Sequence, residues 1–115
     1  MLRLKRVYDA AEEGDGFRIL VDRLWPRGVS KEDAALDLWL KEVSPSDPLR
    51  RWYSHDPSRW EEFKERYFRE LEGKEKELDR IRSLLREGDV TLLFASKDEE
   101  RNNAVALAEY LRKER

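Results

Sequence analysis

The amino-acid sequence predicts a single α/β domain over residues 1–115, with a small, mostly parallel sheet of three strands or slightly more, flanked by helices. Two segments near the amino end alternate apolar and charged residues, and a third segment, VTLLFA, is almost continuously apolar. Helical spacing fills much of the chain between them. Strands that alternate with helices are typical of parallel sheets, because parallel neighbours need a long crossover connection. A length of 115 residues without an internal repeat favours one domain.

The first two strands are predicted from an apolar period of two. In LRLKRVY, the side chains of Leu2, Leu4 and Val7 are expected near one face of the sheet. The turn-rich segment DAAEEGDG separates this strand from the second strand, FRILVDRL. The second strand is expected to end near Asp22 and Arg23, because the proline and glycine of WPRG stop it.

Three helix starts are predicted from capping residues. Ser30 and Asp33 have the spacing of a capping box. The apolar residues that follow at helical spacing, and that extend this predicted helix to residue 43, are Leu36, Trp39, Leu40 and Val43. The segments SPSDP and HDPS each place a proline after a cap, so a short helix is expected after Ser46 or Asp47 and a longer helix after Asp56.

The carboxyl-terminal half is predicted to contain three helical stripes and one buried strand. The stripes are Trp60, Phe63, Tyr67 and Leu71; Leu78, Ile81 and Leu85; and Ala104, Leu107, Ala108 and Leu111. VTLLFA carries apolar residues on both faces, so it should be the central strand. A capping box from Ser96 to Glu99 is expected to open the closing helix.

The composition excludes several classes of protein and site. With no cysteine and one histidine, disulfides, thiol catalysis, cysteine-based metal sites and histidine-cluster metal sites are ruled out. Short apolar runs and a charged amino-terminal pattern predict neither a membrane span nor a secretory signal, which favours a cytoplasmic protein. Charged residues are 43% of the chain and nearly cancel, giving a net charge of −2. This composition favours a thermophile over an ordinary soluble source, and nucleic acid would need a local basic patch.

A cluster of charged side chains follows the second strand in LVDRLWPRG. In open parallel sheets, ligands bind beyond the carboxyl ends of the strands, where loops meet helix N-termini. If the second strand and VTLLFA are parallel neighbours, then Asp22, Arg23 and Arg27 reach one edge of the sheet. Lys97 follows VTLLFA and lies at that edge too. Backbone N–H groups and arginines there favour an anion such as phosphate or a carboxylate.

Two long strings identify a family. LVDRLWPRGVSKEDAALDLWLKEVSPSDPLRRWYSHDP and TLLFASKDEERNNAVAL closely resemble the domain of unknown function 488 family, in its YeaO-like branch. The resemblance covers nearly the whole chain. It implies a compact α/β fold, a site built from the Asp-Arg-Leu-Trp-Pro-Arg loop and the segment after the last strand, and no established activity. The family pattern is Asn-His-Ala where this chain has Asn102, Asn103 and Ala104, so the chain lacks an imidazole at that position.

The candidate site residues have competing roles. Asp22 is a candidate general base or metal contact and His55 a candidate acid, although Asp22 also suits a scaffolding ion pair and a lone histidine before a helix cap is usually structural. The candidate ligand-binding residues are Arg23, Arg27, Lys31, Arg50, Lys97, Asn102 and Asn103. One carboxylate is a weak signal for Mg²⁺, so no metal ligand and no cofactor is assigned.

Two function classes remain open. A protein that binds a phosphorylated or other anionic ligand, with or without catalysis, should gather these groups in a concave pocket with a shifted pKa. A nucleotide and a nucleic acid end are both candidate ligands. An interaction module that docks an acidic protein partner should instead present the arginines on a flat, aromatic-rimmed surface. The reaction type and the oligomeric state do not follow from the sequence.

Overall fold

A computed structural model describes residues 1–113, and four strands in this range form one sheet. The strands are β1 (Leu2–Arg6), β2 (Phe17–Leu20), β3 (Leu38–Trp39) and β4 (Val90–Phe94). Their order is β1-β4-β2-β3, and each neighbouring pair is parallel. The predicted α/β class and parallel sheet are confirmed. All five residues of β4 are buried, and strands flank β4 on both sides, as predicted for the central strand.

Five α-helices lie in the described residues. They are α1 (Lys31–Ala34), α2 (Asp47–Tyr53), α3 (Trp60–Leu71), α4 (Glu75–Glu87) and α5 (Asn103–Lys113). The predicted caps of the two proline-containing helix starts are confirmed: Ser46 Oγ accepts the N–H of Leu49 (3.3 Å), and Asp56 Oδ1 accepts the N–H of Ser58 (3.0 Å). Within residues 1–113, none of the helices combines the length and the hydrophobicity needed to cross a membrane.

The main hydrophobic core lies between one face of the sheet and helices α2 to α5. Leu2 and Leu4 pack against this core, as predicted. The prediction that Val7 shares their face is wrong, because Val7 packs with Leu20 and Leu93 in a smaller cluster. Successive side chains of a strand point to opposite faces, so residues 4 and 7 cannot share a face along a regular strand. The smaller cluster is covered by α1 and the loops around it.

The predicted helix from Ser30 to Val43 is wrong beyond its first turn. Ser30 Oγ accepts the N–H of Asp33 as predicted (3.0 Å), but α1 has only four residues. Ala35 then takes a left-handed φ of 48°, and the chain adds β3 to the free edge of β2. Pairing with the exposed backbone groups of β2 outweighs the helical spacing, since tertiary context overrides a weak local preference.

The predicted capping box at Ser96 is also wrong. Ser96 Oγ accepts the N–H of Asp98 in a turn (3.1 Å), and α5 begins only at Asn103. Asn102 supplies the cap, because its Oδ1 accepts the N–H of Val105 (2.9 Å). The turn between β4 and α5 is therefore longer than predicted, and it faces the carboxyl edge of the sheet.

Candidate functional site

The carboxyl edge of the sheet opens into a cleft of about 1080 Å³. It is lined by the loops after β1, β2 and β4, by the end of α2 and by the start of α5. These loops converge because all four strands end at the same edge. The predicted site residues that line the cleft are Asp22, Arg23, Arg27, Arg50, His55, Lys97, Asn102 and Asn103. Lys31 was also predicted, but it is exposed at the start of α1 and does not line the cleft.

Asp22 joins the ends of two strands to the start of α5. Its Oδ2 accepts the N–H of Ala95 (2.9 Å), and its Oδ1 accepts a hydrogen bond from Asn103 Nδ2 (3.0 Å). Asn103 Nδ2 also donates to the carbonyl oxygen of Val21 (3.0 Å). The indole N–H of Trp39 donates to the carbonyl oxygen of Asp22 (2.8 Å). The loop after β2 is thus held in place by β3, β4 and α5.

The pKa of the Asp22 carboxyl group is raised above its usual range. Burial raises this pKa, and the hydrogen bonds from Asn103 and from the N–H of Ala95 only partly oppose the effect. A raised pKa suits a general base, but the adjacent side chain is an amide, which does not exchange protons near neutral pH. The Asp22–Asn103 pair therefore contains one titratable group, and the amide cannot relay its proton.

Replacing Asn103 with alanine should destabilise the protein by about 1–2 kcal/mol at pH 7 and by less at pH 3. The amide favours the ionised carboxylate, so its loss raises the pKa of Asp22 further. A carboxyl group with a raised folded pKa stabilises the fold below its usual pKa of 3.8, and this contribution is lost as the pH rises through the folded pKa. Urea denaturation of both proteins at both pH values measures the difference.

The control for this experiment is the same substitution in an Asp22→Asn background. Because that background has no titrating group at position 22, the Asn103→Ala change should cost the same at both pH values. An equal cost at pH 3 and pH 7 in the wild-type background would contradict the assignment of Asn103 as the donor that stabilises the Asp22 carboxylate.

Arg23 and Arg50 share one carboxylate. Arg23 Nε lies 3.6 Å and Arg50 Nη2 lies 3.2 Å from Asp47 Oδ1. Arg23 also donates through Nη2 to the carbonyl oxygen of Pro45 (3.3 Å). Over residues 1–113, Arg23 Nε is the one buried side-chain polar atom with no hydrogen bond. Its nearest carboxylate oxygen is Asp47 Oδ1, at an ion-pair distance that is too long for a hydrogen bond.

Three more cations at the cleft make no hydrogen bond or ion pair through their side chains within the described chain. They are Arg27, Arg51 and Lys97. Sequence reasoning selected Arg27 and Lys97 and missed Arg51, which adjoins Arg50. It also missed Arg101, whose Nη1 lies 3.9 Å from Asp98 Oδ2 and 3.7 Å from Glu100 Oε1. Both residues could have been found from the sequence, because each is a basic residue close to other residues that were predicted to lie at the carboxyl edge of the sheet.

His55 and Asn102 both line the cleft, but His55 is exposed and Asn102 is buried. His55 is exposed and has a left-handed φ of 57°, a conformation that costs a non-glycine residue about 1–2 kcal/mol. No hydrogen bond joins His55 to Asp22 in the described chain. Asn102 is buried, and both ends of its amide are used, since its Nδ2 donates to the carbonyl oxygen of Asp98 (2.8 Å). Residues 1–113 contain no group of three or more side chains arranged to hold a metal ion.

Comparison with known proteins identifies relatives along the whole chain. A family model described as the "Inactive DUF488-N3 subclade" matches residues 1–115. The chain is 45% identical over 111 residues to "Uncharacterized protein YeaO" of Escherichia coli (strain K12), and the aligned region covers 96% of each of the two chains. It is 41% identical over 110 residues to "Uncharacterized protein Rv3073c" of Mycobacterium tuberculosis, covering 96% of this chain and 92% of the relative. No solved structure matches the chain significantly. The resemblance found in the sequence is thus confirmed, and the chain is a YeaO-like protein that belongs to the DUF488-N3 family, in the subclade described as inactive.

Proposed function

We propose that this protein binds a ligand carrying a phosphate or similar anionic group in the cleft, without catalysing a reaction on it. The observation that carries the proposal is the charge of the lining. Six arginine and lysine side chains line the cleft, against two aspartates, whereas the whole chain has a net charge of −2. Positive charge is therefore concentrated at the carboxyl edge of the sheet, where the parallel fold favours ligand binding.

The ion pairs of the cleft leave several cations without a carboxylate partner in the described residues, which supports binding of an anionic ligand. Asp47 neutralises part of the charge of Arg23 and Arg50, whereas Arg27, Arg51 and Lys97 have no carboxylate partner in the described residues. Arginines that share one concave site can grip phosphate in a bidentate manner.

Binding without catalysis is supported by the chemistry of the Asp22–Asn103 pair. Both carboxylate oxygens of Asp22 accept hydrogen bonds from the fold, and the adjacent amide offers no proton. His55 is not bonded to this pair in the described chain. The description of the matching family as inactive agrees with an anion site that has no proton-transfer machinery.

The experiment is titration calorimetry with pyrophosphate at low and at moderate salt. We expect saturable binding that weakens with salt, because Coulomb interactions at a partly exposed site are screened. Arg27→Ala should weaken binding by about tenfold or more, since a hydrogen bond to a charged group contributes roughly 1.5–3 kcal/mol. The melting temperature should stay nearly unchanged, because the Arg27 side chain is exposed and makes no hydrogen bond or ion pair in the described residues.

Lys31→Ala is the matched control. It also removes one positive charge near the same loop, but Lys31 does not line the cleft, so binding should hardly change. An equal loss of pyrophosphate affinity in both variants would mean that the ligand responds to the overall positive charge of the protein surface and not to contacts in the cleft. No pyrophosphate binding, together with binding of a glutamate-rich peptide, would overturn the proposal in favour of docking to an acidic protein partner.

A further inference from the structure

We propose that the ligand is a mononucleotide whose base stacks on Tyr8 while its phosphate binds the cations of the cleft; this rests on the proposed function. Tyr8 lines the cleft beside Arg27, yet sequence analysis did not select it. Aromatic side chains bind bases of any identity by stacking, because every base has a π-face. A cleft that joins an aromatic ring to unpaired cations fits a ligand that joins a base to a phosphate.

The ring of Tyr8 is held in position by two groups. Its hydroxyl donates to the carbonyl oxygen of Arg27 (2.9 Å), and the Arg6 guanidinium carbon lies 4.8 Å from the ring centroid. Arg6 is itself fixed, since it donates to the carbonyl oxygens of Ser96 (2.9 Å) and Ala95 (3.0 Å). A ring that is already ordered loses little conformational entropy when a ligand stacks on it.

Exposed apolar surface is concentrated at this cleft. Three large hydrophobic side chains are exposed in the described residues: Met1, Tyr8 at 45% and Leu24 at 63%. Two of them, Tyr8 and Leu24, line the cleft. Inorganic phosphate would leave the exposed ring of Tyr8 in water, whereas a stacked base would cover it, and covering apolar area is favourable.

The ring of Tyr8 lies close to Arg27, because a hydrogen bond joins Tyr8 to the Arg27 backbone. Because the Tyr8 hydroxyl is bonded to the carbonyl oxygen of Arg27, the ring lies next to the residue whose side chain is free to bind phosphate. The volume of about 1080 Å³ is sufficient for a mononucleotide, since small-molecule sites span about 300–1,000 Å³. The cleft therefore offers both contacts within one site.

The test compares adenosine 5′-monophosphate with ribose 5-phosphate by titration calorimetry. The wild-type protein should bind adenosine monophosphate about fivefold or more tightly than ribose 5-phosphate, in line with the stacking of one base. Tyr8→Leu should bind adenosine monophosphate and ribose 5-phosphate with equal affinity, and the effect of losing the hydroxyl bond to Arg27 is measured separately with Tyr8→Phe, which loses the same bond. Tyr8→Phe should keep most of the difference, because the ring and its stacking surface remain. Circular dichroism melting of each variant checks that it folds.

The outcomes separate this inference from the proposed function. Equal affinity of the wild-type protein for adenosine monophosphate and ribose 5-phosphate would overturn the nucleotide assignment and leave phosphate binding intact. An equal loss of both ligands in the folded Tyr8→Leu variant would also overturn it, because Tyr8 would then act by holding the Arg27 loop. Failure of the wild-type protein to bind pyrophosphate or either phosphate compound would overturn the proposed function itself.

Discussion

Replacing Gly16 with alanine should destabilise the protein by about 3–5 kcal/mol, through backbone strain and steric overlap together. Gly16 has a φ of 67°, which a residue with a side chain rarely adopts. A Cβ atom at this position would also lie 2.7 Å from the carbonyl carbon of Asp89. That carbonyl group cannot move away freely, because its oxygen accepts the N–H of Phe17 (2.9 Å) at the start of β2.

Gly14→Ala is the matched control for this substitution. Gly14 lies in the same turn, its φ is not positive, and an added Cβ would meet only Arg3 Nη1 at 3.5 Å. Its effect should stay within about 0.5 kcal/mol. Urea denaturation of the two variants and of the wild-type protein measures both free energies of unfolding. If Gly16→Ala unfolds at the wild-type midpoint, the close approach of residues 16 and 89 is not a constraint on the fold.

Replacing Arg18 with methionine should destabilise the protein by about 3–5 kcal/mol, because it leaves a buried carboxylate with fewer partners. Arg18 is only 4% exposed. Its guanidinium group pairs with Asp15 and donates to the carbonyl oxygens of Ala34 (2.8 Å) and Ala35 (3.0 Å), which end α1. Methionine fills similar space but satisfies none of these acceptors. Chemical denaturation at neutral pH measures the loss.

The pKa of the Asp15 carboxyl group provides an independent check on the contribution of Arg18. Burial raises the pKa of Asp15, but hydrogen bonds from the N–H of Glu12, from Lys5 and from Arg18 outweigh it, so the pKa is lowered. A lowered folded pKa contributes stability above the usual value of 3.8, and this stability is lost as the pH falls through the folded pKa. Arg18→Met should therefore raise the pKa of Asp15, which a ¹³C NMR titration of the carboxyl group measures.

Arg50→Met is the control for the arginine substitution. Arg50 also pairs with one aspartate, but both side chains are about half exposed, at 49% and 47%. Such exposed pairs contribute about 0–1 kcal/mol, so this variant should remain close to the wild-type protein. Equal losses for Arg18→Met and Arg50→Met would mean that burial of the Arg18 guanidinium group does not govern its contribution.

The parts of the fold that the sequence predicted are those determined by local patterns. The apolar run VTLLFA indicated a strand buried on both faces, and β4 lies there between β1 and β2. Serine, aspartate and proline at helix starts located α2 and the turn before α3. Residues 36–43 were predicted as helix because their spacing also fits one face of a helix. The pairing of Leu38 and Trp39 with β2 depends on an open strand edge that no local pattern reveals.

The sequence by itself determined the α/β class, and it predicted that the loops after β2 and β4 share one edge only if those strands are parallel neighbours. The structure shows that they are parallel neighbours. Only the tertiary structure decided how the charged groups pair at that edge. Asp22 and Asn103 are 81 positions apart, yet they share a hydrogen bond. Asp47 neutralises part of the charge of Arg23 and Arg50, whereas Arg27 has no carboxylate partner in the described chain. Such pairing depends on distances between residues that are remote in sequence, and these distances exist only once the chain has folded.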